Sequence, residues 1–371
     1  MLRVMDGFYR GRRVLITGHT GFKGAWMCLL LARAGATVLG YSLDPPSTPS
    51  LFSLLRLDCE PPQGLASLHA DILDLPELCR AVAHFDPEVV IHMAAQSLVR
   101  PSYDDPTGTF AANALGTAHL LEACRKNPPK GGRRAIVCVT SDKCYENREW
   151  VHGYRENDRL GGHDPYSASK ACAEITAQAY ARSFFGPESA TVLATARAGN
   201  VIGGGDFATD RLVPDMARAF ARGETVRIRR PQAVRPWQHA LEPVGGYLLL
   251  ARRMMEEGHA FAGAWNFGPS SRDVRTVGEV ATAFARQWGP RAVLDMAPAP
   301  EGPHEAGLLT LDCAKARAGL GWKPRLDLDA ALIWCAGWYR AWAEGLRGGA
   351  VDLRALSATR IDEFFDGFPG E

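Results

Sequence analysis

A tyrosine and a lysine stand four residues apart in Tyr166-Ser-Ala-Ser-Lys170, a spacing that sets both on one face of a helix. A free phenol titrates near pH ~10, and an ammonium within reach favours the phenolate. The pair can therefore take the proton of an alcohol while a hydride leaves the same carbon. Far upstream, Gly18-x-x-Gly21-x-x-Gly24 follows a strand-like run and opens a helix-like one. In that setting glycines admit the pyrophosphate of a dinucleotide. The two features together describe reversible oxidation of an alcohol.

The loop Gly18-His-Thr20-Gly21-Phe22-Lys23-Gly24 assigns each glycine a task. Gly18 allows the tight turn, Gly21 lets backbone approach phosphate, and Gly24 packs helix on sheet. The helix N-terminus then faces the phosphates. An acid is expected at the end of the second strand, to hold the adenosine ribose. Tyr41-Ser42-Leu43-Asp44 puts it late, so Ser42 or Asp44 takes that role. No arginine follows at once, which favours NAD over NADP, although Lys23 in the loop weighs the other way. Asp71 ends the third strand, where it either meets the adenine or caps the next helix.

Thr140-Ser141-Asp142-Lys143 follows the fifth strand, and loops at the carboxyl ends of strands line the ligand crevice of an open α/β sheet. An adjacent acid and amine can divide proton work, one protonating a leaving hydroxyl and the other taking a proton from carbon. A lysine base must be neutral, so its pKa has to fall from ~10.4. The same residues also read as a turn with an exposed charge pair. Asn200, at the end of Arg197-Ala-Gly-Asn200, and Arg235 and His239, in Arg235-Pro-Trp-Gln-His239, are candidates to grip a diphosphate and a sugar. An arginine fork donates two bonds at once to phosphate. His304-Glu305 is a weaker signal of the same kind.

These residues need a scaffold, and the rest of the chain supplies a repeating one. Strand-like runs at Arg13–Thr17, Thr37–Tyr41, Leu68–Asp71, Val89–Met93, Ala135–Val139 and Val192–Ala196 alternate with helical stretches. That alternation predicts a doubly wound parallel sheet of the Rossmann type, class α/β. Gly24–Ala34, ended by Gly35, and Leu75–His84 read as helices, as do longer stretches near Thr109–Lys126 and Ser167–Phe184. The faces of the last two could pack across a dimer axis or merely cover the sheet. Residues 8–200 form the expected dinucleotide-binding domain, with a segment near 240–268 returning to it through the strand Gly263–Phe267. Residues 201–345 form a smaller α/β substrate domain with helices at Thr276–Gln287 and Leu328–Trp342, in which Trp322, Trp334, Trp338 and Trp342 read as core. Residues 346–371 are a tail whose end, Ile361–Asp366, docks on a partner subunit or stays loose.

Composition narrows the class. The chain has 371 residues, 46% of them hydrophobic and 22% charged, with a formal net charge of +1, as expected for a soluble globular protein. So slight a charge gives no long-range pull on nucleic acid or on an anionic membrane. No apolar run reaches the ~20 residues that span a bilayer, and Met1–Gly11 lacks the apolar stretch of a signal peptide. Nine scattered cysteines without a Cys-x-x-Cys pair suggest neither disulfides nor a zinc or other metal site and point to a reducing cytoplasm.

The glycine loop, Asp142, Tyr166-x-x-x-Lys170 and Arg197-Ala-Gly-Asn-Val-Ile-Gly203 resemble the nucleotide-sugar branch of the extended short-chain dehydrogenase/reductases, over about residues 8–345. Three runs, Gly18–Gly24, Thr140-Ser-Asp-Lys-Cys-Tyr145 and Arg235–His239, resemble the CDP-glucose 4,6-dehydratases within it. The resemblance implies a hydro-lyase that uses NAD catalytically. Tyr166, helped by Lys170, would oxidise C4 of CDP-glucose. Water would leave across C5 and C6 with Asp142 as acid, and the hydride would return to C6, giving CDP-4-keto-6-deoxyglucose for deoxysugars of surface polysaccharide. Dehydratases of dTDP-glucose carry a glutamate beside the aspartate, whereas this chain has Lys143, which becomes the C5 base. The Asp-Lys pair also occurs in some UDP-N-acetylglucosamine dehydratases. Ser141 matches the hydroxyl that contacts the C4 oxygen. Ile72, Ala94, Ala95, Gln96 and Asn113 fall in the cofactor cleft, and Ser97 and Arg211 on the substrate side. A dimer or dimer of dimers is implied. The alternatives are a nucleotide-sugar 4-epimerase, a dehydratase of another nucleotide sugar, or a cofactor-sensing protein without turnover.

Overall fold

The computed structural model describes residues 7–297 and 308–366. Seven strands build the central sheet: β1 Arg13–Thr17, β2 Thr37–Ser42, β3 Leu65–His69, β4 Val89–His92, β5 Arg134–Val139, β6 Thr191–Ala198 and β7 Gly263–Phe267. All neighbours pair in parallel, in the order β7-β6-β5-β4-β1-β2-β3. The strand order reverses between β1 and β4, the place where ligands enter such sheets. Thr17 pairs with both Tyr41 and His92, and Val139 with Ala196, so the carboxyl ends that carry the motifs lie side by side.

The strands read as near-continuous apolar runs because helices cover both faces. Alternate side chains enter two separate cores: Val14, Ile16, Val89 and Ile91 one, and Leu15, Val90 and Ile136 the other. The first core takes α1 (Phe22–Arg33), and the second takes α2 (Leu75–Phe85), α3 (Gly116–Lys126) and α4 (Pro165–Ser183). Later come α5 (Leu212–Arg222), α6 (Leu241–Glu257), α7 (Val277–Trp288), α8 (Leu328–Gly345) and α9 (Leu353–Asp366). α6 lies on the same face as α1, where Tyr9 donates to the Leu248 carbonyl at 2.7 Å. Short strand pairs (Val201–Ile202 with Gln238–His239, Val234–Pro236 with Val274–Thr276, Val226–Arg227 with Leu294–Asp295) carry the second lobe's loops toward the crevice.

Three expectations change. The third strand is Leu65–His69 rather than Leu68–Asp71, because pairing with β2 begins at Val38 opposite Leu65. The helix expected near Thr109–Lys126 starts at Pro106, where Asp105 accepts from the Gly108 N–H at 2.8 Å, and widens into a π-helical turn at Ala111–Leu115 before α3. The tail is neither loose nor reserved for a partner. Ile361, Phe364 and Phe365 of α9 are buried in their own chain. Trp338 Nε1 donates to Ser357 Oγ at 3.0 Å, and Arg33 Nη2 donates to Asp362 Oδ1 at 2.6 Å. Trp322, Trp334, Trp338 and Trp342 are all core residues.

Candidate active site

The turn from β1 into α1 is glycine-built for steric reasons. Gly18 holds φ +76°, and a Cβ there would stand 2.7 Å from the Ala94 amide. A Cβ on Gly24 would collide with the Gly18 carbonyl. Gly21 caps α1, and no side chain occupies that end of the helix, so its first amides and dipole are available to an anion. A dinucleotide fits this cradle. His19 does not reach it: its ring is buried, edge-on to Phe52 at 5.2 Å and 3.0 Å from Ser67 Oγ. Burial and then His69 push its pKa down to about 4.

A cleft of about 1510 Å³ runs from this loop into the second lobe. Gly18, Thr20, Gly21, Phe22, Lys23, Gly24, Ser42, Asp44, Asp71, Ile72, Ala94, Ala95, Gln96 and Ser97 line it, together with Ser141, Asp142, Lys143 and Tyr166 and with Asn200, Arg211 and Arg235. Some of these side chains are already engaged. Thr20 Oγ1 and Ser42 Oγ share a hydrogen bond at 2.9 Å, and Asp44 Oδ1 meets His69 Nδ1 at 2.8 Å. Gln96 Nε2 donates to the Leu98 carbonyl and to Thr109, which fixes the loop after β4. Asp71 does not cap α2. Asp74 does, accepting from the Glu77 amide at 2.9 Å, while Asp71 Oδ1 accepts from the Leu73 amide two residues on.

The helix with the Tyr-Lys pair is anchored at its start. Asp164 caps α4 by accepting from the Ser167 amide at 2.9 Å, Pro165 follows, and the Tyr166 amide donates to Ser102 Oγ at 3.1 Å. Asp164 at the cap and proline in the first turn are what that end of a helix favours. Ser141 Oγ donates to Asp142 Oδ1 at 2.9 Å, and both residues act on the Tyr166 phenol, Ser141 favouring its ionised form and Asp142 opposing it. Phenol, hydroxyl and carboxyl thus line one cleft. Asp142 is buried, and that desolvation raises its carboxyl above the ordinary value against the pull of Lys143, Ser141 and Arg235. A raised carboxyl is protonated in a larger fraction of molecules at any given pH, which favours an acid role.

The Tyr-Lys electrostatics differ from the sequence expectation. Burial pushes the phenol up, to about 12, and the groups that pull it down are Ser141 and Arg211. Lys170 is buried, and its Nζ donates to the Val139 carbonyl at 3.4 Å. Burial brings its pKa down to about 8, opposed by Cys138, Cys144 and Glu174. The amine therefore lies behind the cleft at the end of β5 rather than on the phenol.

Two more candidates stand behind the cleft wall. His239 is a buried core side chain, edge-on to Trp26 (5.9 Å) and Trp334 (5.6 Å), and its Nδ1 accepts from the Leu241 amide. Burial holds its pKa at about 3, and it does not line the cleft. Asn113 is buried in the π-helical turn, bridging the Gln96 carbonyl and Ser169 Oγ at 2.9 and 2.8 Å. It ties α4 to the cofactor loop. His304 lies outside the described residues.

The sequence reading missed several polar groups. Arg100, Arg227, Arg229 and Arg230 line the substrate end, with Arg100 and Arg229 both on Asp210 at 3.2 and 3.0 Å. The arginine-rich stretch Val226–Arg230 was the available signal. Glu174 and Arg197 form a buried ion pair under the catalytic loop. Glu174 continues the Tyr166, Lys170 spacing by one more turn, which was also readable.

Fold and site together define a Rossmann-type oxidoreductase scaffold with an added acid–amine pair. The profile of the GDP-mannose 4,6 dehydratase family matches residues 15–333, and the chain belongs to that family. It is 49% identical over 364 residues to a CDP-glucose 4,6-dehydratase of Salmonella typhimurium, covering 96% of this chain and 97% of that one. A dTDP-glucose 4,6-dehydratase of Streptomyces antibioticus is 31% identical over 76% of this chain and 78% of that one. Among solved structures, MoeE5 in complex with UDP-glucose and NAD superposes with a TM-score of 0.73 at 25% identity, covering 88% of this chain and 98% of that one.

Proposed function

We propose that this chain is an NAD-dependent hydro-lyase converting CDP-glucose to CDP-4-keto-6-deoxyglucose in deoxysugar synthesis. The observation that carries the reading is the gathering of Tyr166, Ser141, Asp142 and Lys143, with Ser141 donating to Asp142, in the cleft that the glycine loop lines. The names of the similar dehydratases support it.

The glycine loop and the first turn of α1 hold the dinucleotide, and Arg211, Arg235 and Asn200 face the sugar diphosphate. When bound, NAD accepts the C4 hydride and later returns it to C6. Tyr166 takes the proton of the C4 hydroxyl, and the new ketone acidifies C5. Lys143 removes the C5 proton, Asp142 protonates the departing C6 hydroxyl, and Lys143 returns its proton to C5. The proton gained by Tyr166 equals the one spent by Asp142, so passing it from one to the other restores the site at the end of a cycle.

The reading extends to a cytoplasmic enzyme that pairs through α3 and α4, where Leu115 just before α3, Ile175 within α4 and Phe184 just after it are exposed. Among the described residues no helix is long and apolar enough to cross a membrane. Turnover of CDP-, UDP-, dTDP- and GDP-glucose, measured side by side, tests the assignment. A 4-keto product formed fastest from CDP-glucose is expected. CDP-galactose as the product would make it a 4-epimerase, and faster turnover of another nucleotide sugar would move the base specificity.

A further inference from the structure

Two arginines converge on one carboxylate oxygen in the cleft. Arg100 Nη1 donates to Asp210 Oδ1 at 3.2 Å, and Arg229 Nη2 donates to the same atom at 3.0 Å. All three residues line the cleft. The side chains of Arg100, Asp210 and Arg229 are 37%, 42% and 45% exposed, so the cluster stands where the cleft meets solvent. The three come from separate parts of the fold. Arg100 lies in the short helix Val99–Asp104 after β4, Asp210 in the turn before α5, and Arg229 beyond the short strand Val226–Arg227.

The segments on either side are firmly held, while the link between them is weak. Ser102, in the same short helix as Arg100, accepts from the Tyr166 amide at 3.1 Å and donates to the Val99 carbonyl at 2.6 Å. That helix is thereby tied to the start of α4. On the other side Arg211 donates to the buried Asp206 at 2.8 Å, and Arg218 donates to the Phe207 carbonyl at 2.7 Å. Between these anchors Asp210 holds φ +61°, a left-handed backbone that a residue other than glycine keeps only where its surroundings over-determine it. Exposed ion pairs, by contrast, add little net stability, so the two bonds to Asp210 open readily.

A carboxylate oxygen shared by two guanidinium groups occupies the place that a phosphate oxygen takes among arginines. A diphosphate offers the same two donors more oxygens and more charge. We propose that Asp210 is a latch on the cleft: its carboxylate holds Arg100 and Arg229 together, and the diphosphate of an entering nucleotide sugar must take both arginines from it. This deepens the proposed reading of the cleft as a nucleotide-sugar site and rests on it. Substrate and product carry the same diphosphate, so the competition loosens both alike and eases product release.

Calorimetric titration of the purified protein with CDP, in the presence of NAD, tests the latch. Asparagine accepts a left-handed backbone as aspartate does, so Asp210→Asn removes the charge and leaves the turn unstrained. It should bind CDP about threefold to tenfold more tightly than the unmodified chain. Arg100→Met and Arg229→Met should each weaken CDP binding about tenfold, and Asp210→Asn added to both together should bring no gain. Weaker or unchanged binding by Asp210→Asn would overturn the proposal, because the carboxylate would then prop the arginines or stand apart from the ligand. A gain that persists without the two arginines would overturn it as well. If the asparagine variant does not fold, the arginine variants decide, since an unchanged CDP affinity in either refutes the latch. Failure of the unmodified chain to bind CDP, UDP, dTDP or GDP would instead refute the nucleotide-sugar reading itself.

Discussion

Glu174 and Arg197 meet at 2.8 Å with both side chains wholly shut from solvent. Their remaining atoms brace the catalytic loop from beneath. Thr140 donates to Glu174 Oε1 at 2.5 Å, and Arg197 Nη1 donates to the Tyr145 hydroxyl at 2.7 Å, which donates in turn to Asn266. The loop Ser141–Cys144 is thus pinned at both ends, from α4 and from β6.

Glu174→Gln leaves the Arg197 guanidinium buried against a neutral partner. Breaking a buried pair from one side costs about 3–5 kcal/mol, so denaturant unfolding should show a loss of that order. Replacing both residues by apolar ones of similar size should recover most of the stability, but not the activity, because Thr140 and Tyr145 lose their anchors.

Tyr166→Phe removes the base while keeping the ring's packing. Turnover should fall by about 10³-fold, with NAD affinity and unfolding midpoint little changed. Ser141→Ala removes the hydroxyl that donates to Asp142 Oδ1 and should slow the later steps more than C4 oxidation, as seen by stopped-flow absorbance of the reduced cofactor.

In the proposed cycle Asp142 and Lys143 act after oxidation. Asp142→Asn should slow water loss by about 10²-fold or more, so that reduced cofactor accumulates with substrate present. Lys143→Met should abolish exchange of the C5 hydrogen with heavy water, followed by proton NMR. An unchanged exchange rate would remove Lys143 from the base role.

How much of this was legible in the sequence differs from residue to residue. The sheet was readable because a doubly covered strand must be apolar on both faces, and Gly18 and Gly24 because only a missing Cβ fits the turn. Tyr166, Ser141 and Asp142 were readable as motifs. His239 was not, because its company (arginine, tryptophan, glutamine) looks like a ligand set, and only the packing shows Trp26 and Trp334 closing over it. Lys170 was placed by helical spacing, yet spacing says nothing about where a long side chain ends. The helix α9 escaped because its apolar residues, Leu353, Ile361, Phe364 and Phe365, are sparse and follow the glycines at 348 and 349.

A pH effect on stability follows from Glu242. It is buried, with Oε1 accepting from the Arg325 and Leu326 amides, and burial raises its pKa from 4.5 to about 7 against those bonds. The folded chain therefore holds this proton more tightly than the unfolded one. The stability it brings is full below the unfolded value of 4.5 and is lost as pH rises to about 7, a change of about 3 kcal/mol. Unfolding free energies taken across that window should fall with pH in the unmodified chain, and less steeply in Glu242→Gln.

The most direct measurement follows the hydrogen itself. CDP-glucose deuterated at C4 is incubated with the protein and catalytic NAD, and the product is examined by NMR and mass spectrometry. The expected product is the 4-keto sugar with the label moved to its C6 methyl group. A label that stays on C4, or that appears in solvent or in released NADH, would contradict a dehydration cycle driven by Tyr166 and completed by Asp142 and Lys143.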